Sequence, residues 1–175
     1  MVPMRTEASK QGLVNFCKYV HSLTPTKGMT LVEIGAFLGD STEIFCQYFG
    51  KVVTIDPWKN DIGDITNIVD MNIIYSKFCR RMTKYENLSV LKHFSYDVVD
   101  NFDDGTIDIV YVDGSHKYND VARDICDWLP KVKKGGFIAG HDYCRKFKGV
   151  MQAVGKFVGR PDKVFKDYSW IQRLS

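Results

Sequence analysis

Two short stretches of this sequence end an apolar run in a cluster of proton-handling side chains. In VYVDGSHKY, residues 110–118, the hydrophobic residues stop at Asp113, and Gly114, Ser115 and His116 follow at once. In GGFIAGHDY the apolar run 137–139 stops at Gly140, His141 and Asp142. An imidazole takes or gives a proton near neutral pH, and carboxylates hold cations or orient an imidazole. Two strand ends bearing these groups side by side would form a reaction site.

A third stretch, LVEIGAFLGDST at 31–42, has another character. An aliphatic run reaches Glu33, Gly35 and Gly39 bracket a short loop, and Asp40, Ser41 and Thr42 stand where a helix begins. Glycine removes the Cβ that would block a close ligand, and N–H groups at a helix start attract a carboxylate or phosphate. A plain tight turn has the same spacing. The next run, KVVTID, ends in Asp56, placed where an acidic side chain meets ribose hydroxyls in nucleotide-binding α/β folds. Capping the turn at Pro57 is the structural alternative. A nucleoside-bearing ligand is expected, with Trp58 either over its base or packed in the core. The absence of G-x-G-x-x-G from the loop disfavours a nicotinamide dinucleotide.

These residues need a scaffold that gathers strand ends. The spacing of Leu13, Phe16, Cys17 and Val20 predicts a helix over about residues 9–22. Strands are expected in MTLVEIG, KVVTID, LSVLKHFS, IDIVYVD and FIAGHD, the last preceded by a turn at KKGG. Helices are expected in AFLGDSTEIFCQYFG, across 61–84 as one or two, in DVVDNF, in YNDVARDICDWLPKV and over about 148–158. KVFKDYSWIQRL reads as a closing antiparallel hairpin. This alternation is that of an α/β, doubly wound fold, with a mostly parallel seven-stranded sheet and an antiparallel C-terminal hairpin. Ligands bind such sheets outside the carboxyl ends of the strands.

Composition agrees. The 175 residues suit one domain over 1–175, and 45% hydrophobic with 26% charged residues is ordinary for a globular chain. A net charge of +3, with the basic residues dispersed, excludes a nucleic-acid-binding tract. The densest group, KFCRRMTK at 77–84, reads as a solvated helix face. No apolar run spans a bilayer, and MVPMRTEASKQG shows no secretory pattern, so a cytoplasmic chain without membrane partners is expected. Five scattered cysteines with no CxxC pair read as reduced thiols.

EIGAFLG resembles the first motif of class I S-adenosylmethionine-dependent methyltransferases. The segment IDIVYVDGSHKYNDVARDICDWLPKVKKGGFIAGHDY is similar to the small-molecule O-methyltransferase branch that includes macrocin O-methyltransferase-like proteins, and more distantly to catechol O-methyltransferase-like enzymes. The resemblance covers about residues 30–145. It implies a Rossmann-like methyltransferase fold, S-adenosylmethionine as cofactor, and a small-molecule hydroxyl as acceptor. It places Glu33, Gly35 and Gly39 around the methionine moiety, Ser41 near its carboxylate, Asp56 on the ribose, and Phe94 and Ser95 at the adenine.

In the catechol O-methyltransferase-like enzymes an acidic residue after the fourth strand and an acid/amide pair after the fifth hold a divalent cation. Asp113, His141 and Asp142 occupy those places, with His-Asp in the position of Asp-Asn. Two carboxylates suit Mg²⁺, whereas an imidazole shifts preference toward a transition metal, and activation without metal stays open. Without metal, Asp113 would serve the substrate or the cofactor's amino group. His116 stands where those enzymes carry the lysine that takes the substrate proton, so His116 and Asp113 are the expected catalytic pair, with Tyr118 and Tyr143 near the pocket. A cofactor-binding module without catalysis, and a nicotinamide-dependent oxidoreductase, are the competing readings.

Overall fold

A computed structural model describes residues 5–59 and 70–175. Helix α1 (Glu7–Leu23) begins where the Thr6 side chain accepts from the Ser9 N–H. It starts two residues before the expected position because that cap, not the apolar stripe, sets its first turn. Next come β1 (Thr30–Ile34), α2 (Asp40–Tyr48) and β2 (Lys51–Ile55). Of the span 61–84, residues 61–69 lie outside the described residues, and α3 covers Met71–Met82 with Asp70 as its cap. Strand β3 (Leu88–Leu91) is shorter than expected, because Phe94 already caps the short helix α4 (Ser95–Val98). Then follow β4 (Ile107–Val112), α5 (Tyr118–Trp128), β5 (Val132–Gly140), α6 (Lys148–Phe157), β6 (Lys163–Val164) and β7 (Trp170–Arg173).

The KKGG segment is not a turn. Strand β5 runs through it, with Gly135 at φ +77° and a register shift against β4 between Ile107 and Ile109. A local pair of glycines signals a bulge as readily as a turn, and here the strand partner decides.

The seven strands lie in the order β3-β2-β1-β4-β5-β7-β6. The first five are parallel, and β7 pairs antiparallel with both β5 and β6. Alternate residues of each central strand feed opposite layers. Val32, Val53, Val110 and Ile138 pack on Val121, Ile125 and Trp128 of α5 and on Val154 of α6. Leu31, Val52, Ile109 and Phe137 pack on Leu13 and Phe16 of α1 and Phe45 of α2. Each such side chain removed from water is worth about 1.5–3 kcal/mol, so both layers are needed to hold a sheet buried on two faces. The chain leaves β1 toward β2 and β3, then crosses back to β4 on β1's other side. That reversal opens a crevice at the carboxyl ends of β1 and β4.

Candidate active site

Gly35 follows β1 with φ +91°, and its N–H donates to the Ile55 carbonyl of β2. A Cβ built on it would fall 2.4 Å from the Asp113 carbonyl oxygen, so only glycine lets the β1 loop close on the end of β4. Across β4 and β5, the His141 N–H donates to the Val112 carbonyl. Asp142 adopts φ +61°, a left-handed backbone that aspartate tolerates better than most residues. Asp113, His141 and Asp142 thereby converge, and with Ser115 and Trp170 they line a small cavity.

His116 enters from the loop before α5. Its Nε2 lies 2.8 Å from Asp142 Oδ2, and since a carboxylate only accepts, the imidazole donates. The ring stacks on Phe147 with centroids 4.0 Å apart, and its side chain is 44% exposed. His141 Nδ1 is 3.1 Å from Asp142 Oδ1 and 3.7 Å from Asp113 Oδ1. Burial opposes ionisation of Asp142, but the hydrogen bonds from His116 and His141 outweigh it and hold the carboxyl below the usual range. Burial pushes the Asp113 carboxyl up, against the pull of Arg5 and His141. For His141, burial disfavours the imidazolium, but Asp113 and Asp142 raise its pKa overall.

The cofactor half is assembled differently from the expected list of contacts. Glu33 is fully buried, and its carboxylate accepts from the hydroxyls of Ser41, Thr42 and Thr54. Burial, the largest influence, pushes its pKa up to about 7 against those three hydrogen bonds. Glu33 and Ser41 thus bond each other and fix the start of α2 from beneath. Asp56 Oδ2 accepts from the N–H groups of Ala36 and Phe37, each at 2.9 Å, and Oδ1 accepts from Trp58 N–H. Asp56 therefore holds the glycine loop and also caps its own turn. Gly39, at φ +82°, precedes α2. Phe94 lies stacked on Tyr96, and the Ser95 hydroxyl donates to the buried Asp124. Trp58 is buried against Tyr75 and Phe78, which makes it core. Tyr118 and Tyr143 pack at the edge of the α5–α6 layer.

Three further residues had no signal pointing to them. Arg5 Nη2 donates to Asp113 Oδ2. Asp167, in the closing hairpin, has a fully buried side chain 3.9 Å from Arg5 Nη1 and 4.0 Å from His141 Nε2. Asp124 is pushed up to about 6 by burial, with the Ser95 hydrogen bond opposing. Of KFCRRMTK, Arg81 binds Asp40 and Glu43, and Lys84 binds Glu43, so this group ties α3 to α2.

Asp113, His141 and Asp142 each offer one ligand atom, all within 4.8 Å of one another. A divalent ion also needs that space free of competing positive charge. Arg5 already neutralises Asp113, and His141 Nδ1 faces Asp142. In this arrangement the residues do not fit a metal ion.

A methyltransferase-domain family model matches residues 32–143, which run from β1 through the Asp142 turn. The chain belongs to that family. This methyltransferase domain is 33% identical over 142 residues to an uncharacterized protein of Acanthamoeba polyphaga mimivirus, covering 74% of this chain and 59% of that one. It is 30% identical over 130 residues to an uncharacterized protein of Sinorhizobium fredii, covering 70% of this chain and 14% of the relative. The domain thus spans less than two thirds of the length of each of these curated relatives. It shares its fold with TomG of Streptomyces achromogenes, an O-methyltransferase involved in tomaymycin synthesis and solved with S-adenosylmethionine, at TM-score 0.62 and 15% identity over 100% of this chain and 93% of TomG. Among the described residues no helix is long and apolar enough to cross a membrane.

Proposed function

We propose that this domain moves a methyl group from S-adenosylmethionine to a hydroxyl oxygen of a small molecule. The observation that carries the reading is the Gly35–Asp113 contact, which makes the glycine loop and the carboxylate–imidazole cluster two walls of one crevice. The likeness to TomG supports the oxygen as acceptor. Bound S-adenosylmethionine supplies an electrophilic methyl group on a positively charged sulfur. The loop at Gly35 and Gly39 shapes the methionine end, with Glu33 and Ser41 bracing it. Asp56 serves the ribose, and Phe94 with Ser95 borders the adenine. Asp113, paired with Arg5 and facing His141, would form the reaction-side wall of the crevice.

His116 is the general base. The tautomer that donates from Nε2 to Asp142 carries its basic lone pair on Nδ1, so Asp142 both orients the ring and stabilises the imidazolium that forms. His116 would take the proton of the acceptor hydroxyl while the methyl group's bond to sulfur gives way to its bond to that oxygen. A tyrosine or lysine in that place would need a larger pKa shift to do this at neutral pH. The five unpaired cysteines fit a reducing, cytoplasmic setting, and the dispersed basic residues fit a small-molecule partner in place of nucleic acid or membrane. Residues 1–175 act as one unit around the single sheet. Calorimetric titration tests the core of this reading: S-adenosylmethionine should bind and NAD should not. Binding of NAD with no response to S-adenosylmethionine would sink it.

A further inference from the structure

Arg5 lies two residues before α1, where a charged side chain ordinarily stays in water, yet the residue is only 8% exposed. Its backbone N–H donates to Asp40 Oδ2 at 3.3 Å, which holds Arg5 against the start of α2. Its guanidinium passes into the reaction half of the crevice, where Nη2 donates to Asp113 Oδ2. Nη1 stands 3.9 Å from Asp167 Oδ2 and is buried with no hydrogen-bond partner among the described residues. On the far side of Asp113, Oδ1 faces His141 Nδ1 at 3.7 Å.

Three carboxylates, Asp113, Asp142 and Asp167, therefore sit together with little access to water. Such a group is stable only if positive charge lies within it. A guanidinium supplies a charge that no ordinary pH removes, fixed in direction by its planar fork. A divalent ion among Asp113, His141 and Asp142 would stand within a few ångströms of that guanidinium, at a separation where like charges in a partly dry site repel strongly.

We propose that Arg5 is the resident cation of this cluster. Its guanidinium takes the electrostatic place a divalent ion would otherwise fill, and the domain handles its acceptor without a metal. Arg5 is then a positioning residue: it sets the direction of the Asp113 carboxylate and, through Asp40, registers the reaction half against the glycine loop. This deepens the methyltransferase reading, but exclusion of metal stands apart from turnover and can be measured alone.

The test is a Mn²⁺ titration of the full chain, followed by the electron paramagnetic resonance signal of the free ion. The wild-type protein and Arg5→Lys, which keeps the charge, should show no stoichiometric site. Arg5→Ala and the nearly isosteric Arg5→Gln should gain affinity by ~10-fold or more, and adding Asp113→Asn should abolish the gain. Circular dichroism melts establish that each variant is folded. A stoichiometric Mn²⁺ site in the wild-type protein overturns the proposal, and so does a folded Arg5→Gln that takes up no ion. If neither neutral variant folds, the wild-type titration decides. Calorimetry with S-adenosylmethionine in the presence of a chelator runs alongside. Loss of binding there in a chain that also excludes Mn²⁺ counts against the methyltransferase reading and leaves the assignment of Arg5 intact.

Discussion

Replacing Glu33 by glutamine should remove a pH dependence of folding that the wild-type chain carries. The carboxyl sits fully buried among three hydroxyls, with no cation bonded to it among the described residues, and burial raises its pKa from 4.5 to about 7. A carboxyl raised on folding binds its proton more readily in the native state than in the unfolded chain. Its contribution is therefore fully present below about 4.5 and is lost as pH rises through about 7. At about 1.4 kcal/mol per pKa unit, the whole window is worth about 3 kcal/mol, and the part between about pH 5.5 and about pH 8 about 2 kcal/mol. Glutamine keeps one acceptor oxygen for Thr42 and Thr54, and places its amide against Ser41, whose hydroxyl can turn to accept. The assay is urea denaturation of both proteins across that range, plotted as the difference between them. Subtraction cancels the other titrating groups, including Asp124. Wild type should gain about 2 kcal/mol on Glu33→Gln as pH falls from about 8 to about 5.5. Parallel curves would refute the buried, uncompensated carboxyl.

Three other substitutions probe the site. Asp56→Ala should weaken S-adenosylmethionine binding by about 1–3 kcal/mol in calorimetry, because it removes both the proposed ribose contact and the clamp on the Ala36 and Phe37 amides; unchanged affinity removes the assignment. His116→Ala should lower kcat by about 10²–10⁴-fold in a labelled-cofactor assay while cofactor affinity holds, and full turnover would move the base elsewhere. Gly35→Ala should lower stability by more than the ~1–2 kcal/mol of a left-handed alanine, since its Cβ also meets the Asp113 backbone; a melting temperature equal to wild type would contradict the contact.

What the sequence made legible is what local pattern encodes. The aliphatic runs placed the five parallel strands because each alternates between two apolar layers, and the polar residues that end them, Asp56, Asp113 and His141, lie at their carboxyl ends in the fold. Arg5 was not legible. MVPMRTEASK has no periodicity, and the partner of Arg5 lies 108 positions away. Glu33 was expected at the methionine moiety only through the resemblance of EIGAFLG to the methyltransferase motif. Its actual surroundings come from hydroxyls 8, 9 and 21 positions along the chain, two from α2 and one from β2, which only tertiary packing brings together. For Trp58 the sequence left base contact and core packing both open, and the rings that decide for packing, Tyr75 and Phe78, belong to α3 beyond residues 60–69.

The distribution of charge explains why the two halves of the crevice behave differently. In the cofactor half, Glu33 and Asp56 are satisfied by uncharged donors, hydroxyls for one and backbone amides for the other. Burial keeps Glu33 partly protonated near neutral pH, so of the two it is Asp56 that lends negative charge to the sheet's edge. In the reaction half, Asp142 is held by His116 and His141, and Asp113 by Arg5. Removing Arg5 there takes the one hydrogen-bonded cation from the partly buried Asp113, and removing His141 leaves Asp142 on His116 alone, whereas removing a hydroxyl from Glu33 leaves two others. Substitutions at Arg5 and His141 should accordingly disturb Asp113 and Asp142 more than loss of Ser41 or Thr54 disturbs Glu33, because an unpaired buried charge costs more than a missing neutral hydrogen bond.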